Sequence, residues 1–156
     1  MREILFRGKR IDTGQWIEGM LFNGKEDTFI IPHGNEYSYD EQEGLAFDVY
    51  GCKVVPETVG QYTGLTDKNG KKIFENDVVK CNDEASNAEF TAFVKFGNPN
   101  GEYNWGYQLS FIAGDTATLD ILLWVEMEEA GAYIEVIGNI HDNPERLEVK
   151  AVQSSI

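Results

Sequence analysis

Histidine, cysteine and proline are scarce in this chain of 156 residues, which holds two, two and four of them. The two histidines, His33 and His141, stand far apart and outside any H-x-x-x-H or H-E-x-x-H spacing, so no helical zinc site is written here. Cys52 and Cys81 are isolated, with no C-x-x-C. That excludes a zinc ribbon or a redox dithiol and favours buried small apolar side chains over a disulfide. No apolar run approaches the ~18 residues that span a bilayer. The opening Met1-Arg2-Glu3-Ile4-Leu5-Phe6-Arg7 offers an apolar step of only three residues between charges, too short for a signal-peptide centre. A cytoplasmic protein with no membrane segment is expected. Also missing are the phosphate cradles G-x-x-x-x-G-K-[ST] and G-x-G-x-x-G and the nucleophile elbow G-x-S-x-G.

Positive charge is the other shortage. Thirteen lysines and arginines face 27 acids, a net charge of −14. Residues 1–32 hold five acids and five bases, whereas from residue 81 onward thirteen acids face Lys95, Arg146 and Lys150 alone. Such a surface repels phosphate chains, so nucleic acid is an unlikely partner. It serves solubility, and it equally suits a partner with a basic surface.

What is present is a core in short pieces. Hydrophobic residues make up 42% and aromatic residues 12% of the chain, enough to fold one domain of ordinary size. Strands are expected at residues 3–7, 15–22, 28–31, 46–50, 53–55, 90–96, 107–112 and 133–137. In the second, Trp16, Glu18, Met20 and Phe22 share one face and Ile17, Gly19 and Leu21 the other. Neither face is purely polar, as in a strongly curved sheet. His33 to Gly44 has no period and reads as a loop. Asp115 to Glu129 is the one long helix candidate, with Leu119, Leu122, Leu123 and Met127 on a face and an extended form as the alternative. Pro144 suits the first residue of a short helical turn.

The run Gln61 to Lys80 is the most informative. Asp67-Lys68-Asn69-Gly70 is a tight turn, Ile73-Phe74 returns to the core, and Glu75-Asn76-Asp77 is a second turn before Val78-Val79-Lys80. Asp77 is placed to accept backbone N–H bonds. Asp67-x-Asn69-Gly70 fails as a calcium loop, since the glycine falls too early and Lys71 stands where a third ligand belongs.

Pro56-Glu57-Thr58-Val59-Gly60-Gln61-Tyr62-Thr63-Gly64-Leu65 continuing to Asp77-Val78-Val79, and Val136-Ile137-Gly138-Asn139-Ile140-His141-Asp142-Asn143-Pro144-Glu145, together with Arg2-Glu3-Ile4-Leu5-Phe6-Arg7, resemble the YopX family of phage and prophage proteins. The resemblance implies a mainly-β fold of small, strongly curved sheets including an SH3-like barrel, with at most one or two short helices. It implies no catalytic residue and no cofactor. The family usually has glycine where this chain has Asn76, and asparagine tolerates the same left-handed turn. The chain is read as one unit of this kind, with room for two intertwined β subdomains at about 1–60 and 61–147 and a tail at 148–156.

No catalytic, cofactor-binding or metal residues are singled out. The candidate interaction surface consists of Tyr37, Tyr39, Tyr103 and Trp105, aromatics in polar loops, and of Lys68, Lys71 and Lys72 around the first turn. Tyr50 and Tyr107 share the aromatic surroundings. The expected function is that of a phage accessory protein that binds another protein or itself. The alternatives are a nucleic-acid-associated SH3-like module acting through the three lysines and an unrecognised metal-dependent hydrolase.

Overall fold

Short alternating segments closed by turn residues form antiparallel ladders in this chain, and two five-stranded sheets result. The computed structural model describes residues 1–32, 38–40, 44–46, 52–97, 105–112, 118–126 and 131–148. They belong to two units, Met1–Gly64 and Leu65–Ile156.

The first unit begins with β1 (Phe6–Lys9), β2 (Trp16–Asn23) and β3 (Thr28–Pro32). β1 and β2 pair antiparallel from Phe6↔Gly19 to Lys9↔Trp16, and β2 meets β3 from Gly19↔Pro32 to Asn23↔Thr28. The β1–β2 connection is turned by Gly14 at φ +69°. Gly19 admits no side chain, because a Cβ there would lie 1.9 Å from the carbonyl oxygen of Ile31. β4 (Ser38–Asp40) and β5 (Gly44–Ala46) form a separate hairpin, so part of the stretch read as a loop is extended. Local propensity missed it, because two three-residue strands carry too little pattern to register. The strand expected at 46–50 lies almost wholly outside the described residues.

Residues 52–55 make bridges instead of a regular strand. Ile30 N–H donates to Cys52 O and Val54 N–H to Thr28 O, both at 2.9 Å, while Val55 N–H donates to Lys9 O at 2.9 Å. The segment therefore lies along β3 on one side and along the end of β1 on the other. A 3-10 turn, Pro56–Thr58, follows, held by Thr58 Oγ1, which accepts from Lys9 N–H and donates to Val55 O. β6 (Gly60–Thr66) then pairs with β1 at Phe6↔Gln61 and Arg7↔Gly60. Leu5, Ile30 and Val54 are fully buried, with Tyr62 and Cys52 nearly so. Gly8 lets Val54 approach, since an added Cβ would meet Val54 Cβ at 3.0 Å. The mainly-β expectation holds, but the sheets are open and no closed barrel is found among the described residues. Isolated bridges, not a continuous ladder, draw the β3 edge towards β1.

In the second unit β7 (Lys72–Phe74) precedes β8 (Asp77–Asp83), β9 (Ala88–Gly97), β10 (Gly106–Phe111), β11 (Thr118–Asp120), α1 (Ile121–Glu126) and β12 (Ala132–Asn139). Its sheet runs β11-β10-β9-β8-β12, antiparallel throughout. One face packs Val79, Cys81, Ala92, Val94, Leu109 and Ile134 against Ile121 and Trp124 of α1. Trp124 meets Phe90 edge-on at 4.9 Å and donates its indole N–H to Tyr133 O at 3.2 Å.

Of the helix expected over 115–129, residues 118–120 are strand instead, and the helix that starts at Ile121 shows the other face. Leu119 lies in β11, Asp120 Oδ1 accepts Leu122 N–H at the helix start, and Ile121 and Trp124 turn inward while Leu122 and Leu123 stay more than half exposed. Three-residue spacing from Ile121 to Trp124 fits one helical face, and a count of leucines concealed it. A second short helical turn, Pro144–Leu147, starts with Pro144 as its first residue. Cys52 and Cys81 form no disulfide and are both buried, and burial pushes the Cys81 pKa up to about 12.

Candidate interaction surfaces

The first turn is built on one carboxylate. Asp67, almost fully buried, accepts Asn69 N–H at 2.8 Å and Lys71 N–H at 2.9 Å on Oδ1. Its other oxygen accepts Val136 N–H at 3.0 Å, and Lys68 N–H donates to Ile134 O at 3.0 Å. β12 is the last strand of its sheet, so these two bonds satisfy backbone groups that an edge leaves open. Burial by itself raises the Asp67 pKa, and the three backbone N–H bonds outweigh it and hold the carboxyl below its usual range. The D-x-N-G spelling announced the turn. It gave no sign that the aspartate also reaches a strand 69 residues away.

The three lysines are not equivalent. Lys68 Nζ pairs with Glu135 at 2.7 Å and sits 5.0 Å from the Tyr133 ring centre. Its pKa is raised chiefly by the bond to Glu135. Lys71 is exposed beside the Gly70 bend, and Lys72 is half-buried in β7. The local excess of positive charge is thus partly neutralised by β12.

The second turn joins the two ends of the family resemblance. Asn76 takes φ +69°, donates its N–H to Val94 O at 2.8 Å and accepts Ile140 N–H at 3.0 Å. Asp77 is buried and accepts Phe74 N–H at 2.8 Å, the turn role expected of it. Opposite, Asn139 Oδ1 accepts the N–H groups of His141 and Asp142, while Asn143 Oδ1 accepts Asn139 N–H at 3.3 Å. Gly138 packs closely under the Asn143 side chain, which would have to shift for any Cβ there, 2.3 Å from its Oδ1. Both signature segments are explained by turn chemistry, and the half-buried His141 lies in it through its backbone.

The loop end of the β9–β10 hairpin is different. Trp105 is 75% exposed and Phe96 53% exposed, and Phe96 meets the Tyr107 ring edge-on at 5.1 Å. Gly97 and Gly106 face each other across the ladder beside them. Tyr37, Tyr50 and Tyr103 lie outside the described residues, and of Tyr39 only the backbone, in β4, is described. Alternation puts Phe96 on the same face as Phe90, Ala92 and Val94, and alternation alone cannot show that its side chain is left more than half exposed.

A groove of about 350 Å³ is lined by Asn82, Asp83, Glu84, Asn87, Glu89 and Tyr133. Its carboxylates are held within the protein. Asp83 accepts from Ser86 Oγ and Ala85 N–H, Glu89 from Lys80 and Asn82, and Glu84 from Tyr133 OH. Ser86 chiefly lowers the Asp83 pKa and Lys80 that of Glu89, so both are charged at neutral pH, unlike a general acid. Among the described residues no group of three or more His, Cys, Asp or Glu is gathered as a metal would need. A smaller cleft of about 20 Å³, room for roughly one water, lies between Lys68, Trp124 and Tyr133.

These features define a mainly-β protein with two antiparallel sheets, signature turns that are structural, and aromatic side chains left at one hairpin end. Residues 5–148 match the family model described as YopX protein, and the chain belongs to the YopX family. The crystal structure of protein EF1440 from Enterococcus faecalis is similar, with 20% identity, a TM-score of 0.54, and coverage of 95% of this chain and 100% of that one. At that identity the likeness shows the fold alone. No curated protein matches the chain.

Proposed function

We propose that this chain is an accessory protein of phage or prophage origin that works in the bacterial cytoplasm by binding another protein, without chemistry of its own. The observation that carries the reading is the uncovered aromatic end of the β9–β10 hairpin, where Trp105 and Phe96 stand more than half exposed. Rigid aromatics supply contact area at small entropic cost and are enriched at protein interfaces. Tyr37, Tyr39 and Tyr103 are assigned to the same role from the polar, acidic residues that neighbour them in the sequence. Among the described residues no helix is long and apolar enough to cross a membrane. The nucleic-acid alternative draws less support, because the exposed Lys68 is engaged by Glu135 and Lys72 is half-buried.

The test is affinity purification from prophage-bearing host cells with the wild type and a Trp105→Ala/Phe96→Ser variant. A protein retained by the first and lost by the second supports the reading. Identical retained proteins, or retention of nucleic acid through Lys71, would sink it.

A further inference from the structure

In the first unit, one face of strands β1, β2 and β3 carries exposed apolar side chains beside partly buried ones. Strand alternation puts Arg7 and Lys9 of β1, Trp16, Glu18, Met20 and Phe22 of β2, and Phe29 and Ile31 of β3 on that side. The opposite side carries Gly8, Gly19 and the buried Ile30. Met20 is 53% and Phe22 55% exposed, although each is apolar. They stand opposite Ile31 and Phe29 in the β2–β3 ladder, and the rings of Phe22 and Phe29 are 6.2 Å apart. Four apolar side chains from two neighbouring strands thus form one patch. It is continued towards β1 by Trp16, over which the Arg7 guanidinium lies at 4.9 Å.

We infer that this face is the contact between two copies of the chain, related by a twofold axis. Charge selects that occupant. Residues 1–32, which supply every residue of the face, hold five acids and five bases, so the whole net charge of −14 comes from residues 33–156. Two copies meeting through an acidic part of the molecule repel each other, whereas this face, with Arg7, Lys9 and Glu18 beside an apolar centre, carries both signs and little net charge. A twofold contact sets a surface against itself and therefore needs both signs of charge around an apolar middle. Arg7, Lys9 and Glu18 supply both signs at one end of the patch, and Met20, Phe22, Phe29 and Ile31 supply the middle. The β3 edge is already bonded to Cys52 and Val54, which leaves face-to-face packing and not strand addition as the mode of contact.

The inference stands apart from partner binding at Trp105. Sedimentation velocity over a range of concentrations, with light scattering, tests it on the full chain. The wild type is expected to pass from monomer to dimer. Met20→Glu/Phe22→Glu is expected to raise the dimer dissociation constant by about a hundredfold, since a twofold interface contains each substitution twice and an anchor residue is worth tenfold or more. Both positions are exposed, so an unchanged circular dichroism spectrum will show that the variant is folded. Adding sodium chloride is expected to strengthen the dimer by screening repulsion between the acidic remainders. Trp105→Ala is expected to leave it unchanged, which separates failure here from failure of the partner-binding reading. A wild type that stays monomeric, a double variant that dimerises like the wild type, or a dimer weakened by salt would each overturn the inference.

Discussion

Asp67 both closes its own turn and holds a strand from the far end of the chain. Both oxygens accept, so asparagine is no substitute: one oxygen becomes an amide that faces a backbone N–H. Asp67→Asn is expected to cost about 1–3 kcal/mol by leaving a buried donor unmet, measured by urea unfolding at neutral pH. The pH dependence follows from the lowered pKa. The contribution of the ionised carboxylate is complete above its unfolded value near ~3.9 and is lost as pH falls towards the folded value. The stability gap between wild type and Asp67→Asn should therefore be constant around neutrality and narrow below about pH 4. Gly19 is the other sensitive residue. Gly19→Ala forces β2 and β3 apart at Ile31 O and is expected to cost about 2–4 kcal/mol; a melting temperature equal to that of the wild type would refute the close approach.

At the scale of elements, α1 gives the sharpest test of which face is inward. Trp124→Ala is expected to cost about 3–5 kcal/mol, while Leu122→Glu and Leu123→Glu should stay within about 0.5 kcal/mol of the wild type. Thermal unfolding of the three variants distinguishes this from the leucine-faced helix that the spacing of Leu119, Leu122 and Leu123 suggests. The comparison also marks what was legible. Strands with clear alternation and turn residues, such as those around Phe90–Phe96 and Tyr133–Ile137, could be placed within a few residues. So could the roles of Asn76, Asp77 and Pro144, since each is fixed by local backbone chemistry. Elements that owe their form to distant partners were not legible. β4 and β5 are too short to carry a period, residues 52–55 are extended only through bonds to β1 and β3, and α1 is oriented by the strands beneath it. The surface was legible in part. Trp105 announced itself by its polar neighbours, whereas Phe96, Met20 and Phe22 are apolar residues of alternating strands that the structure leaves more than half exposed.

For the molecule as a whole, charge is the dominant collective property. A net charge of −14, with few bases after residue 80, repels itself in the folded state more than in an expanded one. Raising sodium chloride from low to physiological strength is expected to raise the melting temperature, and a flat response by calorimetry would show that local ion pairs such as Lys68–Glu135 and Lys80–Glu89 already balance the field. The two cysteines have a further use. Cys52 lies in the first unit and Cys81 in the second, each buried and each the sole thiol of its unit. A closed thiol does not react with an alkylating reagent, so each becomes modified only when its own surroundings open. Mass-resolved alkylation of the native protein would therefore time the breathing of the two units separately in one reaction vessel, with no label or substitution introduced.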